Sequence, residues 1–299
     1  MLTRKSFVFG ALGVIVAGPL ASCGRTGVKP KQTDKSKGKD GEAKREKTVD
    51  ISGTSVTIGT VGDPYASILD EFLVPEFAKN NASAKIQRFD SPKKCSEAIA
   101  KGAINIGFYL RADELEAASQ DSGAELENTA SVFYYPYGIF SAKHDSVKDI
   151  TEETTIAVTN NPDEADRALQ VLYQEDSLTR ETPEPVEGEP TEPAVENPMQ
   201  PRIQNIEQKD LVGALGTSDY VILRPNDFIG APGTPPHGSD ALVLEASDSA
   251  GAFDHAGILT ITPGKGEDPA IVAVRQVLKS EEFAVYLQDV HGQDLMPTS

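Results

Sequence analysis

Residues 56–77, with the sequence VTIGTVGDPYASILDEFLVPEF, decide the fold class of this 299-residue chain. A short β-rich run is followed by a break at Gly62-Asp63-Pro64 and then by apolar residues at helical spacing. Asp63 is suited to cap a helix and Pro64 to occupy its first position, so we predict that a helix begins there. A strand that leads into a helix is the unit from which α/β folds are built.

The same alternation of strand-like and helix-like segments continues along the chain. The predicted strands cover residues 56–60, 85–89, 102–108, 131–140, 155–158, 219–223 and 256–261. One C-terminal helix is predicted from Pro269 through Leu287. This order predicts right-handed crossovers and an α/β fold of two lobes, each a mixed sheet flanked by helices. We assign residues 51–145 and 236–299 to lobe 1 and residues 146–235 to lobe 2.

The N-terminal segment has the features of an exported lipoprotein. Arg4 and Lys5 precede a short apolar run, as in a secretory signal peptide, which we assign to residues 1–22. The run ends in Leu20-Ala21-Ser22-Cys23, which resembles the lipobox at which a peptidase cuts before a lipidated cysteine. Acyl chains on Cys23 would hold the protein on the extracytoplasmic face of a cell membrane. The alternative is an unmodified cysteine behind an ordinary signal peptide.

The charge distribution divides the chain into a basic tether and an acidic body. Eleven of the 28 basic residues but only four of the 46 acidic residues precede residue 49, so residues 49–299 have a net charge of −25. Residues 23–50 have almost no large apolar side chains, which predicts a disordered tether. Its positive charge suits either contact with anionic lipid headgroups or a solvated spacer. The acidic body argues against a nucleic-acid partner, because phosphate binding needs a cationic surface.

A second unusual segment interrupts the acidic body. Residues 181–201 contain six Glu and six Pro. Proline removes backbone hydrogen-bond donors and the glutamates repel one another, so we predict an extended, solvated loop. An acidic docking surface is the functional alternative.

The search for catalytic and metal-binding patterns finds none that stands out. The sequence has no nucleophile elbow, no phosphate-binding glycine loop and no dinucleotide fingerprint. Its four histidines lie far apart, and Cys95 has no partner cysteine once Cys23 is lipidated. Acidic pairs arise by chance in so acidic a body, and no pair is singled out as a glycosidase couple. We therefore expect a binding protein that is not an enzyme and uses no metal or cofactor.

Candidate binding residues come from segments that end predicted strands, where sites in open α/β folds lie. These segments carry Tyr65, Phe108, Tyr135, Asn160, Arg224 and Asn226. We expect these side chains to line a cleft for a small solute. An arginine in such a cleft would bind a carboxylate with two parallel hydrogen bonds.

The order of these segments resembles that of the NlpA-type lipoprotein family, the methionine-binding lipoproteins of ABC importers. The resemblance runs from about Val56 to Pro297. It rests on GDPYASIL (62–69), AINIGF (103–108), FYYP (133–136), IAVTNNP (156–162) with Arg167 after it, ENP (196–198), DYVILRPN (219–226) and LKSEE (278–282). It implies a type II periplasmic-binding-protein fold that closes on its ligand by a hinge motion. It also implies delivery of methionine, or a related small amphipathic solute, to an ABC transporter permease.

The resemblance assigns roles to three of the candidate residues. Arg167 falls at the position of the arginine that binds the ligand carboxylate, Phe108 at an aromatic that packs against the ligand, and Asn160 in the equivalent turn. The alternatives are a surface ion pair of Arg167 with Asp163 or Glu164, and a purely structural role for Phe108.

Four positions depart from the pocket pattern of that family. Leu110 stands where the family has His, Asp113 where it has Tyr, and Arg224 and Gly257 where it has Asn. Without those polar partners, the ammonium and carboxylate groups of an amino acid are poorly satisfied. The ligand identity therefore stays open. A second hypothesis is a surface lipoprotein whose binding-protein fold has a degenerate pocket and serves as a protein-interaction module.

Overall fold

In the computed structural model, the described residues are 50–174, 201–228 and 236–299, and their strands form two sheets. In chain order the strands are β1 (Ser55–Thr60), β2 (Ser83–Arg88), β3 (Ile106–Arg111), β4 (Glu127–Tyr134), β5 (Gly138–Phe140), β6 (Thr155–Thr159), β7 (Arg202–Ile206), β8 (Tyr220–Leu223), β9 (Val243–Leu244), β10 (Gly257–Ile261) and β11 (Met296–Pro297). The α-helices are α1 (Tyr65–Ile68), α2 (Val74–Lys79), α3 (Pro92–Ala100), α4 (Leu115–Ser122), α5 (Pro162–Gln170), α6 (Leu211–Ala214), α7 (Ala250–Asp254), α8 (Pro269–Leu278) and α9 (Glu281–His291). A π-helical stretch, Leu69–Leu73, joins α1 to α2.

The first sheet is mixed and is covered on both faces. Its order is β11-β4-β10-β3-β1-β2, with β1 parallel to β2 and β3, and β10 antiparallel to β3 and β4. Because successive strand residues point to opposite faces, Ile58 packs in a core with Leu278 of α8, whereas Gly59 faces α3. A Cβ on Gly59 would lie 2.4 Å from Cδ1 of Ile104 and 2.6 Å from Sγ of Cys95, so only glycine lets α3 pack this closely.

The second sheet repeats this arrangement on a smaller scale. Its order is β7-β6-β8-β5-β9, with β6 parallel to β7 and β8, and β5 antiparallel to β8 and β9. Ile156 and Ile222 face a core that includes Ala168 of α5. Ala157 and Val221 point the other way, into a core with α6. The predicted α/β fold of two lobes, each a mixed sheet flanked by helices, is confirmed.

The chain passes between the two sheets at two places. Residues 135–137 join β4 of the first sheet to β5 of the second, and residues 245–249 lead from β9 back to α7 and β10. Strands β5 and β9 therefore belong to the second sheet, although the predicted ranges 51–145 and 236–299 place them in lobe 1. The polar stretch around residues 144–149 is a turn within the second lobe and does not lead into it.

Three further predictions are wrong in detail. The predicted strand 131–140 is broken at Pro136, which has no N–H for a strand ladder, and its two halves enter different sheets. The first helix begins at Tyr65, with Pro64 as the residue before its first turn and not as its first position. The predicted C-terminal helix is two helices, since the hydroxyl of Ser280 accepts a hydrogen bond from a backbone N–H and begins α9.

Several predicted segments lie outside the described residues. They are the signal peptide at 1–22, the tether at 23–50 apart from Asp50, and the Glu/Pro-rich segment at 181–201 apart from Pro201. Within the described ranges, no helix combines the length and the apolar character that crossing a bilayer requires.

Candidate functional site

A cavity of about 760 Å³ opens where the two lobes meet. The first lobe contributes Asp63 and Ser67 near the start of α1 and residues 290–295 at the end of α9. The second lobe contributes Asn226, which follows β8, and Tyr135 lines the cavity from the crossover. The volume is in the range of about 300–1,000 Å³ that is typical of small-molecule sites. Tyr135 and Asn226 are the two predicted site residues that this cavity brings together.

The described cavity wall has two carboxylates, Asp63 and Asp294. Oδ1 of Asp63 accepts hydrogen bonds from the backbone N–H of Ser67, at 3.2 Å, and from its hydroxyl. Oδ2 of Asp294 lies 2.9 Å from Nδ1 of His237, and this hydrogen bond with the nearby negative charge raises the pKa of His237. None of the described residues that line the cavity is Lys or Arg. The described wall therefore has one carboxylate paired with a histidine, Asp294, and one without a basic partner, Asp63.

Arg167 lies next to this cavity but does not line it. Arg167 belongs with Ala165 and Ala168 to the buried residues of helix α5, and it is only 4% exposed. Nε donates to Oε1 of Glu245 at 3.0 Å, and Nη2 donates to Oε2 of the same carboxylate at 2.8 Å. Nη2 also donates to the backbone carbonyl of Tyr135 at 3.1 Å. The partner of Arg167 is thus neither solvent nor the predicted surface carboxylates of α5.

Glu245 is the residue that satisfies this buried cation. It follows β9 at the second crossover, and its carboxylate also accepts hydrogen bonds from the backbone N–H of Tyr137 and from the hydroxyl of Ser249, both at 3.2 Å. A buried ion pair is tolerated when its charges are neutralised and hydrogen-bonded in this way. The protein's own carboxylate therefore occupies two guanidinium donors of Arg167, the residue for which the family resemblance implies a ligand carboxylate.

Arg224 is held in a similar network on the second-lobe side. Its Nε lies 3.1 and 3.0 Å from the two carboxylate oxygens of Asp227, and its Nη1 lies 3.3 Å from Oε2 of Glu164. The hydroxyl of Tyr137 also donates to Glu164. Burial opposes ionisation of Glu164, but this hydrogen bond and the charge of Arg224 outweigh it and lower the pKa of Glu164. The guanidinium carbons of Arg167 and Arg224 lie 5.2 and 5.1 Å from the ring centroid of Tyr137.

Phe108 and Tyr65 belong to an aromatic chain that runs from the core of the first lobe towards the cavity. Phe108 is fully buried and contacts the edge of Tyr65 at 4.9 Å between ring centroids. Tyr65 packs against Phe133 at 5.3 Å, and Phe133 against Tyr135 at 5.8 Å. Burial raises the pKa of Tyr135 to about 12, so its hydroxyl stays protonated at neutral pH. Of this chain, only Tyr135 lines the cavity.

Asn160 lies away from the cavity wall. It is exposed after β6, and its backbone N–H donates to the carbonyl of Ile206 at 2.7 Å, which extends the pairing of β6 with β7. The structure therefore does not bring Asn160 together with Tyr135 and Asn226.

The four positions that depart from the family pattern make internal contacts. Leu110 is buried in the first lobe, and Gly257 packs against the ring of Phe133. Asp113 lies 2.9 Å from Nη2 of Arg111 and 3.2 Å from Nδ1 of His255. Arg224 is paired as described above. None of these four residues lines the cavity in the described part of the chain.

Among the described residues, no group of three or more His, Cys, Asp or Glu side chains is arranged so that it could hold a metal ion. Cys95 is buried in α3, and burial raises the pKa of its thiol to about 12. A thiol of such high pKa is a poor nucleophile at neutral pH.

Sequence reasoning missed Glu245, Tyr137 and the residues 290–295 that end α9. The signal for Glu245 was present, since a lone acid directly follows the apolar run Leu242-Val243-Leu244. An ionisable residue at the end of a strand is a candidate for a site, but the run is too short to be predicted as a strand on its own.

Comparison with known sequences gives matches along nearly the whole chain. Residues 56–299 match the family model described as NlpA lipoprotein. The methionine-binding lipoprotein MetQ of Bacillus subtilis is 23% identical over 303 residues, covering 99% of each chain. The membrane lipoprotein TpN32 of Treponema pallidum is 24% identical over 122 residues, covering 41% of this chain and 45% of that protein. These matches group the chain with lipoproteins and not with enzymes.

Comparison with solved structures agrees on the fold. A lipoprotein of the YaeC family from Enterococcus faecalis matches with a TM-score of 0.55 at 19% identity, covering 82% of this chain and all of that one. A putative methionine-binding lipoprotein from Bacillus subtilis matches with a TM-score of 0.50 at 22% identity, covering 82% of this chain and 98% of that one.

Proposed function

Because the chain belongs to the NlpA lipoprotein family, we propose that it is an extracytoplasmic solute-binding lipoprotein that passes a small solute to an ABC transporter permease. The observation that carries this proposal is the cavity of about 760 Å³, whose wall draws residues from both lobes. A ligand that contacts both lobes favours their closed arrangement, which is how a hinged protein couples binding to a change of shape.

The proposed ligand is a small amphipathic solute, and methionine is the first compound to test. A relative of nearly the same length is named for methionine binding, which supports this choice. Tyr135 and Asn226 are the proposed contacts in the cavity wall. The other five predicted site residues, Arg167, Phe108, Asn160, Tyr65 and Arg224, have the internal or exposed positions described above.

The proposed anchor is a lipid on Cys23, with residues 24–50 as the spacer between the membrane and the first lobe. Replacement of Cys23 by Ser is expected to release the protein from the membrane fraction, because no acyl chain is then attached. Fractionation of cells that produce each form, followed by detection of the protein in membrane and soluble fractions, tests this part. Retention of the Cys23→Ser protein in the membrane fraction would contradict it.

A thermal-shift screen of purified protein tests solute binding. The screen contains amino acids, their amides, small amines, dipeptides and small organic anions. A solute at 100 times its Kd stabilises the folded state by about 2.7 kcal/mol, which corresponds to a Tm increase of about 5–10 °C for a domain of this size. Absence of any shift at millimolar concentration of every solute would argue against the proposal.

A cavity-filling variant links such a shift to the cavity. Ser239 lines the cavity and its hydroxyl has no hydrogen-bond partner among the described residues, so Ser239→Trp fills space without removing an internal bond. The variant should lose the ligand-induced shift. Ser52→Trp, at an exposed position outside the cavity, is the matched control and should keep it.

The protein-interaction alternative depends on the Glu/Pro-rich segment at 181–201. That segment lies outside the described residues apart from Pro201, and no observation among the described residues favours this alternative.

A further inference from the structure

The two arginines at the junction of the lobes are both neutralised by carboxylates of the protein. Three hydrogen bonds hold Arg167, two to Glu245 and one to a backbone carbonyl, and its side chain is 5% exposed. Arg224 is paired with Asp227 and Glu164, and its side chain is 12% exposed. A second carboxylate that approached either guanidinium would have to displace one that is already in place.

In the described wall of the cavity beside these arginines, the basic side chain with a raised pKa, His237, is already paired with Asp294. The same described wall has the two carboxylates of Asp63 and Asp294 and no Lys or Arg. A carboxylate brought close to Asp63 would face a like charge, which disfavours its binding.

Several polar groups of the same wall have no hydrogen-bond partner among the described residues, including the hydroxyl of Ser239 and the buried Nε2 of His291. The hydroxyl of Tyr135 and the side-chain amide of Asn226 have no hydrogen-bond partner within the described residues. Oδ2 of Asp63 is likewise not used in the bonds that Oδ1 makes with Ser67. Tyr135 and Asn226 can both donate and accept hydrogen bonds, so they suit many polar ligands. Oδ2 of Asp63 can only accept, and its charge strengthens a hydrogen bond from an amine or amide donor.

We infer that the solute of this cavity has no free carboxylate and presents amine or amide donors to Asp63, Tyr135 and Asn226, while Glu245 excludes carboxylates by occupying Arg167. This inference rests on the proposed function, since it names the class of solute for the same cavity. Glu245 is in this sense a specificity residue that acts through Arg167 and does not contact the solute.

L-Methionine and L-methioninamide are the test pair, because they differ only in the group that is a carboxylate in the first and an amide in the second. Binding to the unmodified protein is measured by isothermal titration calorimetry and by thermal shift. Methioninamide is expected to bind at least tenfold more tightly than methionine. Methionine binding that is equal to or tighter than methioninamide binding would overturn the inference.

Two variants separate the roles of the residues. Asp63→Asn keeps the size of the side chain and an oxygen for Ser67, and should weaken methioninamide binding about tenfold or more. Glu245→Gln removes the internal carboxylate charge, so methionine should bind more tightly to it than to the unmodified protein. Glu153→Gln, at an exposed ion pair with Arg202, is the control and should change neither affinity. If Glu245→Gln does not fold, the inference is still tested by the two affinities of the unmodified protein and by the affinity of Asp63→Asn for methioninamide.

The outcomes also separate this inference from the proposed function. If neither probe binds, the wider solute screen decides. A ligand without a carboxylate supports both the inference and the proposed function. A ligand with a carboxylate contradicts the inference and leaves the proposed function in place. If no solute of the screen binds at millimolar concentration, the proposed function fails and the inference falls with it.

Discussion

The carboxylate of Glu245 accepts hydrogen bonds from Nε and Nη2 of Arg167, at 3.0 and 2.8 Å, where the two side chains are 2% and 5% exposed. Arg167 comes from helix α5 of the second lobe, whereas Glu245 lies on the segment that returns to the first lobe. The same carboxylate bonds the N–H of Tyr137 on the other crossover. One ion pair thus joins both connections between the lobes, directly beside the cavity.

Removal of one partner from this pair should destabilise the protein strongly. Glu245→Gln leaves the charge of Arg167 buried without a counter-charge, which costs about 3–5 kcal/mol in other buried pairs. Denaturation with urea, followed by circular dichroism, measures the free energy of unfolding. The double variant Arg167→Met/Glu245→Leu should recover most of the loss, because an apolar pair leaves no uncompensated charge. A loss below about 1 kcal/mol for Glu245→Gln would contradict this view and show that water reaches and solvates the Arg167 guanidinium.

Helix α7 should tolerate no side chain at Gly251. A Cβ there would lie 2.6 Å from Oε1 of Glu245 and 3.0 Å from Nε of Arg167, so the ion pair would have to move. We expect Gly251→Ala to cost about 1–3 kcal/mol, as overpacking does in other cores. Gly213→Ala, in helix α6 with nothing within 4 Å of the added atom, is the control and should stabilise slightly. Equal effects of the two substitutions on the unfolding free energy would contradict this view.

Acid should weaken the second lobe through Asp219. Its carboxylate accepts hydrogen bonds from the N–H and hydroxyl of Thr155 and from Nζ of Lys143, and these lower its pKa to about 2. A lowered pKa in the folded state contributes stability above about pH 4, and that contribution is lost as the pH falls towards 2. After allowance for solvent screening the contribution is about 1 kcal/mol.

Replacement of Asp219 by Asn should reduce the dependence of the unfolding free energy on pH between about pH 2 and pH 4. Unfolding free energies measured between pH 2 and pH 6 for both proteins give the comparison. Asp121→Asn, at an exposed carboxylate of α4, is the matched control and should keep the pH dependence of the unmodified protein. An unchanged slope in Asp219→Asn would show that other carboxylates cause the acid sensitivity.

Phe108 should contribute to the stability of the folded protein and should not contact the ligand. It is fully buried against Tyr65, so Phe108→Ala leaves a large hole and should cost about 3–5 kcal/mol. The affinity of the folded variant for a solute found in the screen should change less than threefold. A selective loss of affinity with little change in unfolding free energy would instead place Phe108 in the binding site.

The sequence predicted the parts of the fold that depend on local pattern. The burial of Ile68, Leu69 and Phe72 follows from their helical spacing, and Ser91 caps α3 as its position before Pro92 indicates. Edge strands were harder to predict. Strand β7 is mostly exposed and β9 has two residues, so neither shows the apolar periodicity on which a strand prediction depends.

The candidate site was predicted only in part, because its geometry depends on contacts between segments far apart in the chain. The strand-end rule located Tyr135 and Asn226, which line the cavity. The rule also selected Arg224, but Asp227 three residues later neutralises it. Arg167, which family resemblance added, finds its partner 78 residues away. Pairing at that distance has no local signature, since Glu245 reaches Arg167 only once both crossovers are formed.

The central claim is that the two lobes hold one small solute. Native mass spectrometry tests it most directly, on protein that is purified from cells without refolding. The account predicts a fraction of molecules with one additional small-molecule mass that disappears in Ser239→Trp and persists in Ser52→Trp. It is contradicted if the unmodified protein carries no such mass and acquires none when every solute of the screen is added at millimolar concentration.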